Sequence, residues 1–254
     1  MLSSTPHRFV DRVAIVTGAG SGIGRAAAIA LAGAGAHVLG VGRRVEALEE
    51  TAGADPHIAV LPLDLCEEGA ADTVVTEAVK RWGRLDVLVN NAGATAVMPL
   101  AETDRSVITR LFELNVTAPS MLAHAALPHL RESSGSIVNV SSTYGHRPLA
   151  GAAHYAATKS AVEQLTRSWA LELAAEGVRV NAIAPGPTRT DVLVAAGLPR
   201  DTIDEIRSHE RDRIPTGRLG DPEDIADWIL RIADPLGAHI TGQVLTVDGG
   251  LELD

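Results

Sequence analysis

The sequence predicts an α/β fold in which a parallel sheet is covered by helices on both faces. Three features carry that reading. Short β-branched or apolar runs recur along the chain, longer alanine-rich or amphipathic stretches separate them, and a glycine-rich turn from Thr17 to Gly24 joins the first run to the first such stretch. A parallel neighbour is reached only by a crossover, and crossovers on both sides bury both faces of the sheet.

Taken in order, the runs Val13–Thr17, His37–Val41, Ile58–Leu63, Leu85–Asn90, Ser136–Ser141, Val178–Ile183 and Gln243–Val247 read as strands, each short and rich in Val, Ile or Leu. Between them Arg25–Ala32, Glu67–Trp82, Arg105–Leu127 and Ala156–Ala175 read as crossover helices. In the last of these Val162, Leu165, Trp169 and Leu173 recur at helical spacing, the mark of a face packed on the sheet. No internal repeat, low-complexity tract or long linker divides the chain, so residues 1–254 are expected to form a single domain with an N-terminal extension over 1–9. The one irregular region is 186–220, where Pro187, Gly197, Pro199 and Pro215 interrupt the pattern. Its length suits a lid over a site, whereas its charged run Arg-Ser-His-Glu-Arg-Asp-Arg reads more simply as a solvated helix.

Composition excludes several classes. Acidic residues outnumber basic ones 32 to 22, so the net charge of −10 repels a phosphate backbone or an anionic membrane, and nucleic acid and membrane are not expected partners. Aromatic residues are 3% of the chain, too few for base-stacking platforms. Cys66 is the sole cysteine, which excludes an intrachain disulfide and a thiolate metal cluster, and no metal site is expected. The first residues lack an apolar signal core and no run is long enough to span a bilayer, so the cytoplasm is the expected location.

The glycine turn sits directly after the first strand and before the first helix. Gly18 allows a tight turn, Gly22 and Gly24 let backbone and helix approach closely, and the helix N-terminus offers free N–H groups to a pyrophosphate. At the end of the second strand, where an acidic residue would accept from a free ribose 2′-hydroxyl, stand Arg43 and Arg44. A guanidinium grips a 2′-phosphate in two-pronged fashion, which favours NADP(H) over NAD(H).

Together with that turn, Asp64-Leu65, Asn90 to Gly93, Asn115, Ser142, Tyr155-Ala-Ala-Thr-Lys159, Pro185-Gly186 and the closing Ile240 to Gly250 form one ordered set. On these residues the chain resembles the short-chain dehydrogenase/reductase family over nearly its whole length, from about Val10 to Gly250. The resemblance implies a single Rossmann-type, doubly wound domain with a seven-stranded parallel sheet, assembled as a homotetramer or less often a dimer. It implies a cofactor site formed by Gly18, Ser21, Gly22, Ile23 and Gly24 at the turn, and by Arg43, Arg44, Asp64 and Leu65 at the adenosine end. Asn91, Ala92 and Gly93 would line the middle, and Pro185, Gly186, Thr188 and Thr190, with Tyr155 and Lys159, would hold the nicotinamide end. Its catalytic set would be Asn115, Ser142, Tyr155 and Lys159.

The chemistry gives physical reasons for that set. Hydride transfer between a carbinol carbon and nicotinamide needs a partner that moves the hydroxyl proton in step. A free tyrosine, with pKa about 10, is a poor base at neutral pH and needs a nearby cation. Tyr155 and Lys159 are four apart, which puts them on one helix face and predicts a lowered Tyr155 pKa. Ser142 lies at a strand end thirteen residues before Tyr155, and alternation along the strand lets only one of Ser141 and Ser142 face the site; the family spacing selects Ser142 to hold the substrate oxygen. The resemblance also implies that the Asn115 backbone carbonyl holds a water that relays protons to Lys159; Pro119 follows four residues later, and because proline has no N–H it is expected to free that carbonyl and fix a helix kink.

The substrate is expected to be a small alcohol or ketone. The pocket is expected near Thr95 to Val97, Thr143 to His154 and 186–220, and His146, Arg147 and His154 point to a substrate with a carboxylate or several oxygens, with His146 and His154 as contacts. A 3-oxoacyl thioester is the main alternative, but Glu176 stands where related carrier-protein reductases place a basic residue before the glycine, here Gly177. An NAD-dependent sugar or polyol dehydrogenase and a non-catalytic nucleotide-binding protein are the remaining alternatives.

Overall fold

The structure, a computed structural model, describes residues 8–253. Seven strands, β1 (Val13–Thr17), β2 (His37–Gly42), β3 (Ile58–Pro62), β4 (Val87–Asn90), β5 (Ser136–Val140), β6 (Arg179–Pro185) and β7 (Val244–Val247), form one all-parallel sheet in the order β3-β2-β1-β4-β5-β6-β7. Of the expected extension, residues 1–7 lie outside the described residues. Its inner end is part of the fold: Phe9 is fully buried and Arg8 pairs with Asp234.

Strand residues alternate between two apolar layers. Ala14 and Val16 of β1 face one layer with Ala27 and Leu31 of α1 (Gly22–Gly33) and Ile225 and Ile229 of α9 (Pro222–Ala233). Val13 and Ile15 face the other, built with Val74 of α3 (Ala70–Trp82), Leu122 of α5 (Ala118–Ser133) and Leu173 of α6 (Ala153–Leu173). Burial on both faces is why these strands read as unbroken apolar runs. The expected core face of α6 is confirmed for Val162 and Leu173, which are buried, while Leu165 and Trp169 are partly covered.

The stretch expected as one helix from Arg105 is three pieces. Helix α4 (Arg105–Phe112) opens into a π-helical turn at Glu113–Thr117 and resumes as α5, so the interruption holds Asn115 itself. Pro119 falls in the first turn of α5, where a missing N–H costs nothing. The irregular region after β6 is a closed excursion. Gly220 N–H donates to the Pro187 carbonyl at 2.9 Å and Arg189 N–H to the Gly220 carbonyl at 2.9 Å, and between them run α7 (Val192–Ala195) and α8 (Arg200–Arg213). The charged run is therefore helical, but one of its faces lines the cleft described next.

Candidate active site

Strand order reverses at β1, whose neighbours β2 and β4 lead away in opposite directions. Open α/β sheets bind ligands at the carboxyl ends of the strands beside such a switch point. There a cleft of about 1430 Å³ runs from the β1–α1 turn past the end of β5 to α8. That exceeds the volume of a single drug-sized pocket and leaves room for two ligands side by side.

The glycine turn forms one end. Gly18 and Gly22 have φ of +67° and +53°, the left-handed region that costs glycine little. A methyl at Gly24 would run into the Gly18 carbonyl and the Asn91 amide, so this glycine packs the turn rather than lining the cleft. Ser21 caps α1 with no side-chain bond and the first turn holds no acidic residue, so its N–H groups remain open to an anion. Its hydroxyl instead accepts from Arg44 at 2.9 Å. Arg43, largely exposed, stands 3.7 Å from Asp64, and Leu65 completes this end.

Along the floor Thr17 anchors the chain after β4: its hydroxyl accepts from the N–H groups of Asn91 and Ala92, and Asn91 Nδ2 donates to its carbonyl at 2.8 Å. Gly93 follows, where a Cβ would lie 3.2 Å from Asn115 Oδ1 and 3.5 Å from Lys159 Nζ. A side chain there would crowd Asn115, so glycine lets the segment after β4 pack closely against these two residues. Ile23, Pro185, Gly186, Thr188 and Thr190 line the opposite wall, with the Thr188 hydroxyl donating to the Gly186 carbonyl. Residues of this description fit a dinucleotide: an uncapped helix N-terminus, glycines in the turn before it, and cations beside that turn.

The four residues of the expected catalytic set gather at the C-terminal end of β5. Ser142 accepts from the Tyr144 N–H and stands beside the Tyr155 phenol, whereas Ser141 turns away to the Lys159 carbonyl and Glu163, as strand alternation requires. Lys159 is buried; its ammonium donates to the Val140 carbonyl at 2.9 Å and lies 5.9 Å from the Tyr155 ring centre. Asn115 lies behind the wall, its amide donating to the Ala94 carbonyl and Thr158 hydroxyl and accepting from the Ala94 N–H. It braces the segment after β4 against α6.

The expected lowering of the Tyr155 pKa is not found in the protein by itself. Burial pushes the phenol up, against a hydrogen bond from Ser142 that pulls it down, and burial takes the Lys159 ammonium down to about 8. Desolvation outweighs the cation here.

Two expected substrate contacts are corrected. His146 holds Glu163 with Nδ1 at 2.9 Å and Glu252 with Nε2 at 2.8 Å, outside the cleft lining, and ties the turn after β5 to the C-terminal segment. His154 is also absent from that lining; its Nδ1 is buried and without a partner among the described residues. Tyr144, Arg207, Glu210 and Arg213 line the cleft and fall within the stretches Thr143 to His154 and 186–220 expected near the pocket, but the sequence did not single them out as site residues. Positions 207, 210 and 213 recur every three residues, a signal of one helix face, but nothing in the sequence turned that face inward.

A family profile described as enoyl-(acyl carrier protein) reductase matches residues 18–252. Cis-4-hydroxycyclohexanecarboxylate dehydrogenase of Sinomonas cyclohexanicum is 40% identical, over 95% of this chain and 97% of its own. A 3-oxoacyl-(acyl-carrier-protein) reductase of Thermotoga maritima is 35% identical, over 96% and 99%. Among solved structures, a short-chain dehydrogenase/reductase of Caenorhabditis elegans, determined with cofactor, superposes with a TM-score of 0.90 at 36% identity over 97% of each chain. The chain belongs to the short-chain dehydrogenase/reductase family. It is an oxidoreductase of that family, and its fold is the family's Rossmann-type domain. Among the described residues no helix is long and apolar enough to cross a membrane and no cluster suits a metal ion.

Proposed function

We propose that this protein interconverts a small secondary alcohol and a ketone with NADP(H), using Tyr155 to move the proton. The observation that carries the reading is the meeting of Ser142, Tyr155 and Lys159 at one point of a cleft whose other end is a glycine turn. When bound, the nicotinamide takes or gives the hydride. Ser142 and Tyr155 together hold the substrate oxygen, and Tyr155 gives its proton to the oxygen in reduction or takes it in oxidation. Lys159 steadies the phenolate and holds ribose hydroxyls, and the Asn115 carbonyl serves the proton relay to Lys159. In the unliganded chain burial keeps the phenol protonated, which suits a proton donor for ketone reduction. Oxidation calls for added positive charge nearby, such as the oxidised nicotinamide carries.

Arg43 and Arg44 at the adenosine end support NADP(H), since Asp64 is the one acidic residue lining that end among the described residues and Arg43 stands against it. The excursion over 186–220 is assigned to the substrate. A 3-oxoacyl thioester is a second reading, favoured by the Thermotoga relative. Against it, Glu176 pairs with Arg131, so that surface offers an acidic carrier a neutralised pair rather than a free cation. NADPH oxidation over a panel of cyclic ketones, hydroxyketones and acyl thioesters separates the two. Turnover of ketones in preference to thioesters is expected, thioester preference would replace the first reading by the second, and no turnover of either would overturn both.

A further inference from the structure

Both tyrosines of the chain stand in the cleft, and the mechanism uses one of them. Tyr144 follows Ser142 by two residues, and its N–H on the Ser142 hydroxyl at 3.2 Å fixes it beside the reacting groups. Its phenol is close enough to Tyr155 and to Glu210 for their charges to interact. Glu210 comes from the opposite wall, on the inward face of α8 with Arg207 and Arg213. Among the described residues neither the Tyr144 hydroxyl nor the Glu210 carboxyl has a hydrogen-bond partner, although both are half-buried. Both face the cleft, so their hydrogen-bonding capacity is open to a ligand that enters it. Pro148, Leu149, Leu193 and Ile206 add apolar surface to the lining of the same cleft.

We propose that Tyr144 and Glu210 form a second recognition point, which hydrogen-bonds a hydroxyl or carbonyl oxygen that the substrate carries apart from its reacting carbinol. This rests on the alcohol–ketone reading above and deepens it: the substrate is a compact hydrocarbon frame with oxygen at two places. The chemistry of the pair suits a neutral oxygen. A phenol both donates and accepts, and Glu210, whose carboxyl burial pushes up to about 7 against the pull of Arg207 and Arg213, does the same when protonated. A site built on such groups rejects an analogue that lacks the matching oxygen, because its own polar atoms are then left unpaired.

The test compares kcat/KM for cyclohexanone with that for its 2-, 3- and 4-hydroxy derivatives, in the wild type and in Tyr144→Phe, Glu210→Leu and Glu210→Gln. The wild type is expected to favour at least one hydroxyketone by about tenfold or more, the worth of one good hydrogen bond in a closed site. Tyr144→Phe and Glu210→Leu shrink that ratio, mainly through KM, while Glu210→Gln keeps most of it. The ratio is the readout because a general loss of folding or catalysis leaves it in place. A wild-type ratio near one, or a ratio unchanged in both apolar variants, overturns the proposal. Should the wild type turn over none of these ketones, the alcohol–ketone reading fails and the recognition point is decided by calorimetry on the NADP-saturated protein. Cyclohexanediols that bind tighter than cyclohexanol in the wild type, but not in Glu210→Leu, support it, and equal affinities overturn it.

Discussion

Lys159 is held where its own charge is costly. In the folded chain it titrates at about 8, while an unfolded lysine titrates at about 10. Below pH 8 both states carry the proton and the folded state bears the whole cost of burying it; above the unfolded value neither state does. Between these the unfolded chain binds more protons, so stability rises with pH. The wild type should gain stability relative to Lys159→Met as pH climbs from about 8 to about 10, by an amount on the order of 3 kcal/mol. Urea unfolding at a series of pH values measures it, and a constant difference between the two proteins would contradict the burial argument. Arg43 poses the opposite case, a cation left largely in water and only loosely paired. If it grips a 2′-phosphate, Arg43→Ala should weaken NADPH binding by about tenfold or more and leave NADH binding nearly unchanged. Equal losses in a fluorescence titration would remove the basis for the coenzyme preference.

At the scale of elements, the turn between β1 and α1 depends on glycine for room as much as for dihedral freedom. Gly24→Ala would push α1 off the Gly18 carbonyl and the Asn91 amide. The expected cost is about 1–3 kcal/mol of stability, together with loss of dinucleotide affinity, read by urea unfolding and by titration. Unchanged affinity would mean the turn does not set the cofactor site. Strands of this kind are legible in sequence because burial on two faces leaves only apolar residues to choose from, and each expected strand has its counterpart in the sheet. The π turn was not legible. Its residues Glu113–Thr117 keep helical character, and the visible signal, Pro119, marks the start of α5 rather than the break itself. The inward face of α8 was hidden for a related reason. Charged residues normally face water, so Arg207, Glu210 and Arg213 looked solvated until the pinned ends of 186–220 folded that helix over the cleft. His146 erred the other way: a polar residue near the reacting serine looked like a substrate contact, and long-range partners at Glu163 and Glu252 had already claimed it.

For the molecule as a whole, one sheet places every part of the site at a single switch point, while large apolar side chains remain outside. Met121 on α5 and Leu171 on α6 are exposed, as are Leu236 and Leu253 near the C-terminus. Apolar surface of this kind is stabilised by burial against another copy, and self-association into a homotetramer, or a dimer, is the expected outcome. Sedimentation velocity should give a mass near a multiple of the 26.5 kDa chain, and Leu171→Glu should lower it if α6 forms an interface. A monomer at micromolar concentration would contradict this.

If Tyr155 moves the proton, Tyr155→Phe removes that function with the loss of a single oxygen from the cleft. Ketone-dependent NADPH oxidation and NADPH affinity are measured on the same preparation. Turnover should vanish while affinity stays within a few-fold of the wild type. Turnover that survives the loss of that hydroxyl would contradict this role for Tyr155.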